Sequence, residues 1–575
     1  MTESTKGIWV VKREPVLLLA VGVVASGTLL LVLGSRLTFL LDDWEFLLYR
    51  RGFTEQAVLS PHGEHIVIGP VLVYKALLAT FGMTSALPFR FVSTTMFLLG
   101  AALLFVYLRR RIDPWLALIG TTVILFLGPA WEDLLWSFQV GFLTAMAAGL
   151  GALLALERGD RRGDRLACLL LVVSIVFSSL GIPFAVGAAV ATLRGRDRWR
   201  RLYVVLVPLA VYAAWWLGWG HTAESALSWK NLATTPQFVL DGLAAAFASL
   251  LGLATPVEGV AAGGLDWGRP LVVGAATLAA WRLHRLGKVP EWLWVTFATA
   301  GAFWILAGLN EKPGRDPTSS RYQYVGAIFV LLLAAELLRG LRVRKGALVV
   351  AGIVAVAALI SNVYLLAKAY ESYKSTSDLE RADLGAVEIA RDTVEPGFTL
   401  EEEIADTAYV HVDAASYFSA ADEFGSPAYT PAELLVSPEP ARFAADKVLF
   451  NALRIVLTPV ATPAVMTGKA RAASPNAEGL VVVPPGVCVA VPDGSTAPLL
   501  SLPPTGVVIE SGAQPVTDIK MKRFATYEFS VDFEAGVAPG RPVAIKIPPD
   551  RSTVPWKMQL EGGPATVCGL GRETG

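Results

Sequence analysis

The chain has 575 residues, and its 49 Lys and Arg balance its 49 Asp and Glu, so the formal net charge is zero. This balance argues against nucleic-acid binding, which depends on a net basic surface. A hydrophobic fraction of 54%, a charged fraction of 17% and a mean hydropathy of +0.52 indicate a multi-pass membrane protein.

Apolar runs predict the membrane spans, since a hydrocarbon core about 30 Å thick needs roughly 20 residues of helix. Residues 16–34 and 346–367 carry no charge and are the clearest spans. Residues 166–193 are interrupted by Gly181-Ile182-Pro183 and predict two short helices that meet near the outer face. About eleven spans are predicted in all, the others being 89–108, 115–130, 138–156, 201–219, 270–281, 292–308 and 323–338.

Basic clusters predict the orientation, because short cytoplasmic loops hold the excess of Lys and Arg. Placing every cluster inside puts the N-terminus in the cytoplasm and the last third of the chain outside the plasma membrane. The apolar segment 234–256 contains Asp241 and would break this parity, so we expect an interfacial helix on the outer surface there. The clusters used are Lys6, Lys12 and Arg13 near the N-terminus, followed by 109–111, 158–165, 194–201, 282–288 and 339–345.

The composition changes near residue 370, which predicts a transmembrane domain over 1–370 and an extracytoplasmic domain over 371–575. The second domain begins with a charged helical stretch and continues with short Val-rich runs between Pro and Gly, as is typical of a β-sandwich. Cys488 and Cys568 allow a disulfide in such a location. A carbohydrate-binding role and a lid or spacer role are both open, and candidate stacking residues are Tyr417, Phe418, Tyr527 and Trp556.

The most informative segment is Leu41-Asp42-Asp43-Trp44-Glu45, directly after the first span. Adjacent carboxylates at a membrane exit can take a proton from a hydroxyl group or hold a divalent cation. A structural role is equally open, because Asp42 and Glu45 match an Asp-x-x-Glu capping box for an interfacial helix. The pattern leaves open which of Asp42 and Asp43 would be the base.

Two further segments on the predicted outer side carry candidate sugar or metal contacts, one in the same outer loop as the acidic segment and one in the loop 131–139. His62, Glu64 and His65 offer acid/base groups or metal ligands, although their spacing is no standard zinc signature and a solvated loop is the alternative. The loop 131–139 combines carboxylates with tryptophans, which are most simply residues of the membrane-interface belt. Its candidate contacts are Glu132, Asp133, Trp136 and Gln139.

A basic triplet, Lys312, Arg315 and Arg321, interrupts the otherwise acidic and aromatic outer side. Arginine at the outer end of a span can bind a phosphate through two parallel hydrogen bonds, as recognition of a lipid phosphate requires. The alternative is that these side chains reach out to lipid headgroups. Arg321 followed by Tyr322 is the strongest phosphate-binding candidate.

The order of these features resembles the GT-C superfamily of integral-membrane glycosyltransferases, which use polyprenyl-phosphate sugars as donors. The resemblance covers about residues 10–370 and depends on Asp42-Asp43-Trp44 after the first span and on Arg321-Tyr322 at a late span. It implies that Asp42 is the catalytic base and that Asp43 orients the acceptor or ligates Mg²⁺ or Mn²⁺. It further implies that Arg321 holds the donor phosphate and that the anomeric carbon is inverted.

The Ala-, Arg- and Gly-rich composition resembles that of high-GC actinobacteria, whose arabinofuranosyltransferases build cell-envelope glycans from decaprenyl-phospho-arabinose. The implied partners are a polyprenyl-phosphate sugar donor, a glycan acceptor and the bilayer. A transporter or flippase for a lipid-linked saccharide remains an alternative, although few ionisable residues lie near predicted span centres and no duplicated halves are visible. A non-catalytic envelope assembly protein is a third possibility, but it leaves the carboxylates and the basic triplet unexplained.

Overall fold

The chain divides into two compact units. The membrane unit consists of Met1–Leu37, Arg50–Thr80 and Ala86–Tyr373, and the C-terminal unit consists of Thr38–Tyr49, Phe81–Ser85 and Lys374–Gly575. The acidic segment after the first helix therefore groups with the last third of the chain. The computed structural model describes residues 13–195, 197–223, 225–257, 260–262, 264–400, 412–460, 470–477, 479–493, 497–533 and 536–571.

The membrane unit is mostly helical, as expected where apolar surroundings force backbone hydrogen bonds to close within each segment. Within the described ranges, six helices are long and apolar enough to cross a membrane. The chain is thus a membrane protein with several apolar helices, whereas the predicted eleven spans and their orientation remain predictions. The six are Arg13–Gly34, Leu87–Arg109, Ser137–Leu156, Arg198–Gly218, Glu291–Leu309 and Lys345–Ile389.

A broken helix forms the predicted span 115–130. Pro114–Leu125 and Gly128–Leu135 together qualify as one apolar span, but they meet at an angle of 48°. Gly128 lets the backbone at this bend pack closely against the helix Lys345–Ile389, because a Cβ atom there would lie 2.0 Å from the carbonyl oxygen of Asn362. The bend brings the carboxylates of residues 132 and 133 to the start of a short separate helix, Trp131–Leu135.

The remaining helices of the membrane unit agree with the sequence predictions at some positions and differ from them at others. The interrupted run 166–193 forms two helices, Arg161–Phe177 and Gly181–Arg194, separated at residues 178–180. Ile68–Phe81 is a helix that the sequence analysis left within an outer loop. The segment with Asp241 is the helix Trp229–Leu250, which packs against three neighbouring helices, and Asp241 pairs with Arg269 at 2.7 Å. The other helices are Glu55–Leu59, Arg198–Arg201, Tyr203–Gly218, Leu265–Leu286 and Ser320–Leu337, with short 3₁₀ turns at Gly128–Ala130, Ser137–Gln139 and Gly220–Thr222.

The C-terminal unit contains short helices followed by a β-sheet region, which confirms the predicted strands at the end of the chain. Three helices that the sequence analysis did not predict precede most of the strands: Ala414–Phe424, Pro431–Val436 and Glu439–Ala452. A two-stranded hairpin, β1 (Thr255–Val257) with β2 (Val260–Ala262), belongs to the membrane unit. The strands of the C-terminal unit are β3 (Leu457–Pro459), β4 (Arg471–Ala472), β5 (Leu480–Val482), β6 (Cys488–Val491), β7 (Leu499–Ser501), β8 (Gly506–Ser511), β9 (Val516–Lys522), β10 (Val531–Phe533), β11 (Val543–Lys546), β12 (Lys557–Gly562) and β13 (Ala565–Gly569).

The strands form two sheets with mostly antiparallel pairing. One sheet has the order β10-β9-β12-β7-β5 and the other β3-β11-β8-β13-β6-β4. Alternate residues of the long strands are buried, such as Ile519 and Met521 on β9 and Met558 and Leu560 on β12, as the two-residue period of a strand requires. Cys488 on β6 and Cys568 on β13 are directly paired and form a disulfide. The sequence allowed a disulfide between these two cysteines without determining it, and the structure contains it.

Candidate active site

The acidic segment adopts an unusual backbone conformation. Leu41 has φ 50° and ψ −122°, which a branched L-residue avoids because its side chain crowds the backbone. Such a residue costs about 1–3 kcal/mol and persists where the surrounding structure holds it, often at functional sites. The helix begins at Asp42 with Leu41 as its N-cap and no side-chain capping bond. Asp42 therefore does not occupy the N-cap position that a capping box with Glu45 requires.

The two neighbouring aspartates have different environments. Asp43 is fully buried, and its Oδ2 accepts a hydrogen bond of 3.0 Å from the backbone N–H of Leu40. This bond closes the tight turn through Leu41. Asp42 is half-buried. The structure thus separates a buried, turn-stabilising Asp43 from a half-buried Asp42.

The residues after Asp43 fix this acidic segment within the C-terminal unit. Trp44 is fully buried and its indole N–H donates to Glu380 on the long helix Lys345–Ile389. A π-helical turn, Glu45–Tyr49, follows, and such turns often occur at functional sites. The hydroxyl of Tyr49 donates to Asp413 at 2.8 Å, and burial together with this carboxylate raises the pKa of Tyr49 to about 12.

A separate cluster in the membrane unit joins residues that lie far apart in the sequence. Arg315 forms an ion pair with Glu64, and both side chains are largely buried. The loop with Glu64 is a tight turn, in which His62 and His65 exchange backbone hydrogen bonds of 3.0 and 3.1 Å around Gly63. Gly63 has φ 53°, which favours glycine. A Cβ atom on Gly63 would also lie 3.2 Å from the Arg315 guanidinium.

Glu132 and Arg321 form the second pair of this cluster. The Glu132 carboxylate accepts hydrogen bonds from the backbone N–H of Arg321 at 3.0 Å and from its Nε at 3.2 Å. The backbone N–H of Glu132 in turn donates to Ser320 at 3.1 Å. A carboxylate at this position satisfies an otherwise unpaired N–H at the start of the helix Ser320–Leu337 and suits its dipole. Glu132 therefore positions Arg321.

His65 is half-buried beside these charges. Its ring meets Phe142 edge-on at 6.0 Å. Burial lowers the pKa of His65 to about 4, and Arg315, His62 and Arg321 lower it further, while Glu64 opposes them. His65 is thus a neutral imidazole near pH 7 and does not add positive charge to the cluster.

Acid should destabilise the protein through His65. The folded-state pKa of about 4 lies below the unfolded value of about 6.5. The contribution of neutral His65 to stability is complete above pH 6.5 and is lost as the pH falls toward 4. Between pH 6.5 and 5 we expect the free energy of unfolding in detergent to fall by about 2 kcal/mol more for wild type than for His65→Gln. If the free energy of unfolding fell equally with pH in wild type and in His65→Gln, the lowered pKa of His65 would be contradicted.

The remaining predicted site residues differ in their burial and in their contacts. Trp136 and Gln139 are buried, and Phe138 lies between the rings of Trp136 and His62, at 5.2 and 5.1 Å. Asp133 is buried, and among the described residues neither of its carboxylate oxygens has a hydrogen-bond partner. Lys312 is half-buried.

Tyr322 was predicted to bind phosphate together with Arg321. It is only 7% exposed, and its ring packs against Phe238, Phe303 and Trp304 with centroid distances of 6.0–6.4 Å. This aromatic contact accounts for Tyr322 as a core residue that holds the start of its helix, so we remove it from the phosphate-binding set.

Sequence reasoning missed three buried basic residues that shape this region. Arg50 donates to the carbonyl oxygens of Ser60 and Pro61 at 2.8 Å, which fixes the loop before His62. Lys75 donates to the backbone carbonyls of residues 50–52. Arg90 donates to the carbonyls of Leu135 and Leu37 at 2.9 and 3.0 Å. The sequence could have pointed to these three residues through their position in or next to apolar helices, since a charged side chain there needs a hydrogen-bond partner.

The donor set does not fit a resident metal ion. Within the part of the chain that the structure describes, no three His, Cys, Asp or Glu side chains come together as metal ligands. Asp43, the expected ligand, instead uses one carboxylate oxygen for the turn at Leu40.

Comparison with known proteins adds little beyond this geometry. No family model matches the chain, and no curated protein matches it. One similar solved structure is described as ArnT from Cupriavidus metallidurans bound to undecaprenyl phosphate. It is 16% identical, with a TM-score of 0.38 over 66% of this chain and 82% of that one. The function proposed below depends on the chain's own residues.

Proposed function

We propose that the protein is an inverting glycosyltransferase of GT-C type that moves a sugar from a polyprenyl-phosphate donor to a cell-envelope glycan. The observation that supports this most strongly is the acidic turn. A half-buried Asp42 follows a strained Leu41 and precedes a fully buried Asp43 and Trp44. Holding a half-buried carboxylate next to a fully buried one, at the cost of a disfavoured backbone, suits a general base better than a surface loop.

Asp42 is the proposed catalytic base. Its carboxylate takes the proton of the acceptor hydroxyl as that oxygen attacks the anomeric carbon of the donor sugar. The bond between the anomeric carbon and the phosphate oxygen breaks, and polyprenyl phosphate leaves with the bonding electrons. Attack opposite the leaving group inverts the anomeric carbon. Asp43 is proposed as a positioning residue, since it holds the turn that presents Asp42.

Arg321 is the proposed phosphate ligand, with Lys312 and Arg315 as further cations. A guanidinium has five N–H donors, and the contact with Glu132 engages the Nε of Arg321. The Arg321 side chain is 28% exposed. A positioned cation stabilises the negative charge that develops on the departing phosphate.

A pocket in the C-terminal unit is proposed to bind a saccharide. Its volume is about 410 Å³, and its lining includes Glu388, Arg391, Tyr429 and Arg551. Arg391 forms two hydrogen bonds of 2.9 Å with Glu388, and Arg551 pairs with Asp392 at 2.6 and 2.8 Å. Because carboxylates neutralise both arginines, the pocket favours a neutral ligand with many hydroxyl groups over an anion.

This pocket revises the predicted stacking residues. Tyr417 and Trp556 are buried in the core, and Phe418 lies under the Arg391 guanidinium at 4.3 Å. Tyr527 is 81% exposed but does not line the pocket. Tyr429 is the aromatic residue in the lining, and its hydroxyl donates to Asp378 at 2.7 Å.

Glu388→Ala should weaken saccharide binding by about 10- to 100-fold, because it removes the carboxylate proposed to accept a charged hydrogen bond, worth roughly 1.5–3 kcal/mol, from a saccharide hydroxyl. Binding of neutral cell-envelope oligosaccharides to the purified full-length protein can be measured by saturation-transfer NMR. Arg454→Ala, which breaks an exposed ion pair with Glu395 in the same unit, is the matched control and should bind normally. Equal loss in both variants, or none in Glu388→Ala, would rule out this pocket.

The sugar is proposed to be arabinofuranose, and transfer is proposed to occur on the outer face of the plasma membrane, with the N-terminus in the cytoplasm. The test is to incubate purified protein with polyprenyl-phosphate pentoses and hexoses, with and without EDTA. We expect transfer from a polyprenyl-phosphate pentose, both with and without EDTA. Failure of every donor, with the protein folded, would favour the flippase or assembly alternatives.

A further inference from the structure

The membrane unit contains a groove of about 560 Å³ that is distinct from the proposed active site. Three helices form it: Leu87–Arg109, Val140–Leu156 and Arg161–Phe177. Small side chains on the middle helix, including Ala148, Gly151 and Ala155, follow one face and form its floor. The lining is apolar except at one end, where Arg110 and Arg158 lie, and at Thr144.

The groove is open to the surroundings of the helices. Leu99 and Leu166 both line it and are 45% and 44% exposed. Two of its three helices belong to candidate membrane spans. In a bilayer, an apolar groove with exposed walls contacts hydrocarbon, because water finds no hydrogen-bond partners there. An acyl chain is therefore the occupant that the lining favours.

The length of the groove matches one leaflet. Met96 and Arg110, its extreme lining residues on the first helix, are separated by about 21 Å along the helix axis at 1.5 Å per residue. Half of a bilayer, including its headgroup region, is about 20–22 Å thick. A diacyl lipid with its headgroup at Arg110 thus reaches the other end of the groove near the bilayer midplane.

The polar end carries positive charge. Arg110 pairs with Glu157 and Arg158 with Asp160, yet these two arginine side chains remain 49% and 52% exposed. Residues 109–113 and 157–165 together contain seven Arg against four acidic residues, a net charge of +3. Basic residues near a membrane surface attract anionic headgroups by about 1 kcal/mol each. The Arg110–Arg158 end is thus complementary to a lipid phosphate that carries a net negative charge.

We propose that this groove binds one anionic diacyl phospholipid, with its headgroup at Arg110 and Arg158 and an acyl chain along Ala148 and Gly151. This site does not depend on the proposed glycosyltransferase activity. The groove is too short for the whole tail of a polyprenyl phosphate, which favours a phospholipid of one leaflet over the donor lipid.

Native mass spectrometry of the full-length protein released from nanodiscs tests the site. The probes are phosphatidylcholine bilayers with and without phosphatidylglycerol. We expect one phosphatidylglycerol to remain bound to wild type, with retention at least tenfold lower in the double variant Arg110→Gln/Arg158→Gln. Arg109→Gln removes a neighbouring charge that stacks on Phe105 outside the groove, and it should lower retention by at most about fivefold, as expected for the loss of one surface charge.

A groove-filling variant, Ala148→Leu, tests the acyl-chain contact separately and should lower retention while leaving both arginines in place. Size-exclusion profiles and melting temperatures identify variants that fail to fold, and retention is compared among folded variants. Equal retention of phosphatidylcholine and phosphatidylglycerol, or undiminished retention in the double arginine variant, would overturn the proposal. Preferential retention of added polyprenyl phosphate over phosphatidylglycerol would also overturn it.

Discussion

Asp42→Asn is expected to lower kcat for sugar transfer by about 10²–10⁴-fold, the usual contribution of a positioned general base. The amide keeps the size of the side chain but cannot take the acceptor proton. The KM for the donor should change little, since the donor phosphate is assigned to other residues. The measurement is steady-state transfer by the purified variant at saturating donor and acceptor.

Asp43→Asn is the matched control for this experiment. Its side-chain oxygen can still accept the hydrogen bond from Leu40, so the turn and most of the activity should remain. Asp43→Ala removes that bond and leaves a buried N–H unpaired, which should cost about 1–3 kcal/mol of stability. An active Asp42→Asn enzyme beside an inactive, folded Asp43→Asn enzyme would transfer the role of base to Asp43.

Arg321→Gln is expected to lower kcat/KM for the donor by about 10²–10³-fold, since it removes a charged donor from the leaving phosphate. Glu132→Gln is the control, because its amide oxygen can still accept from the backbone N–H of Arg321. Glu132→Gln should keep kcat/KM for the donor within about tenfold of the wild-type value, although it weakens the contact between residue 132 and the Nε of Arg321. Steady-state kinetics with varied donor distinguishes the two.

A different pattern would contradict the role of Arg321. If Arg321→Gln and Glu132→Gln lose the same activity and the same stability, the pair is a structural contact between helices. A larger loss in Arg315→Gln or Lys312→Gln than in Arg321→Gln would move the phosphate site within the basic triplet.

Local composition predicted the long apolar helices well. Residues 16–34 and 346–367 carry no charge, and helices begin at Arg13 and Lys345, within three residues of the predicted starts. Span length did not predict where the last helix ends, because Lys345–Ile389 continues beyond its apolar half as a helix that packs in the C-terminal unit. The helix Ile68–Phe81 was missed within the predicted outer loop, and its Pro70 is compatible with a helix because proline is tolerated in the first turn.

The sequence predicted which residue types form the candidate site, but it did not predict which of these residues contact one another. The carboxylates, histidines and arginines were recognisable because charges are scarce in an apolar chain. Glu64 and Arg315 are 251 residues apart, and Glu132 and Arg321 are 189 apart, so tertiary packing alone determines these pairs. The unequal burial of Asp42 and Asp43 depends on the backbone at Leu41, which no local pattern specifies.

The most direct test of the proposed activity is the stoichiometry of transfer in proteoliposomes that contain only the purified protein, a polyprenyl-phosphate sugar and a glycan acceptor. Mass spectrometry measures the glycosylated acceptor and the free polyprenyl phosphate over time. We predict that both accumulate in equal amounts and that Asp42→Asn proteoliposomes form neither. Movement of intact donor between leaflets, with no glycosylated acceptor from any donor class, would contradict the glycosyltransferase assignment.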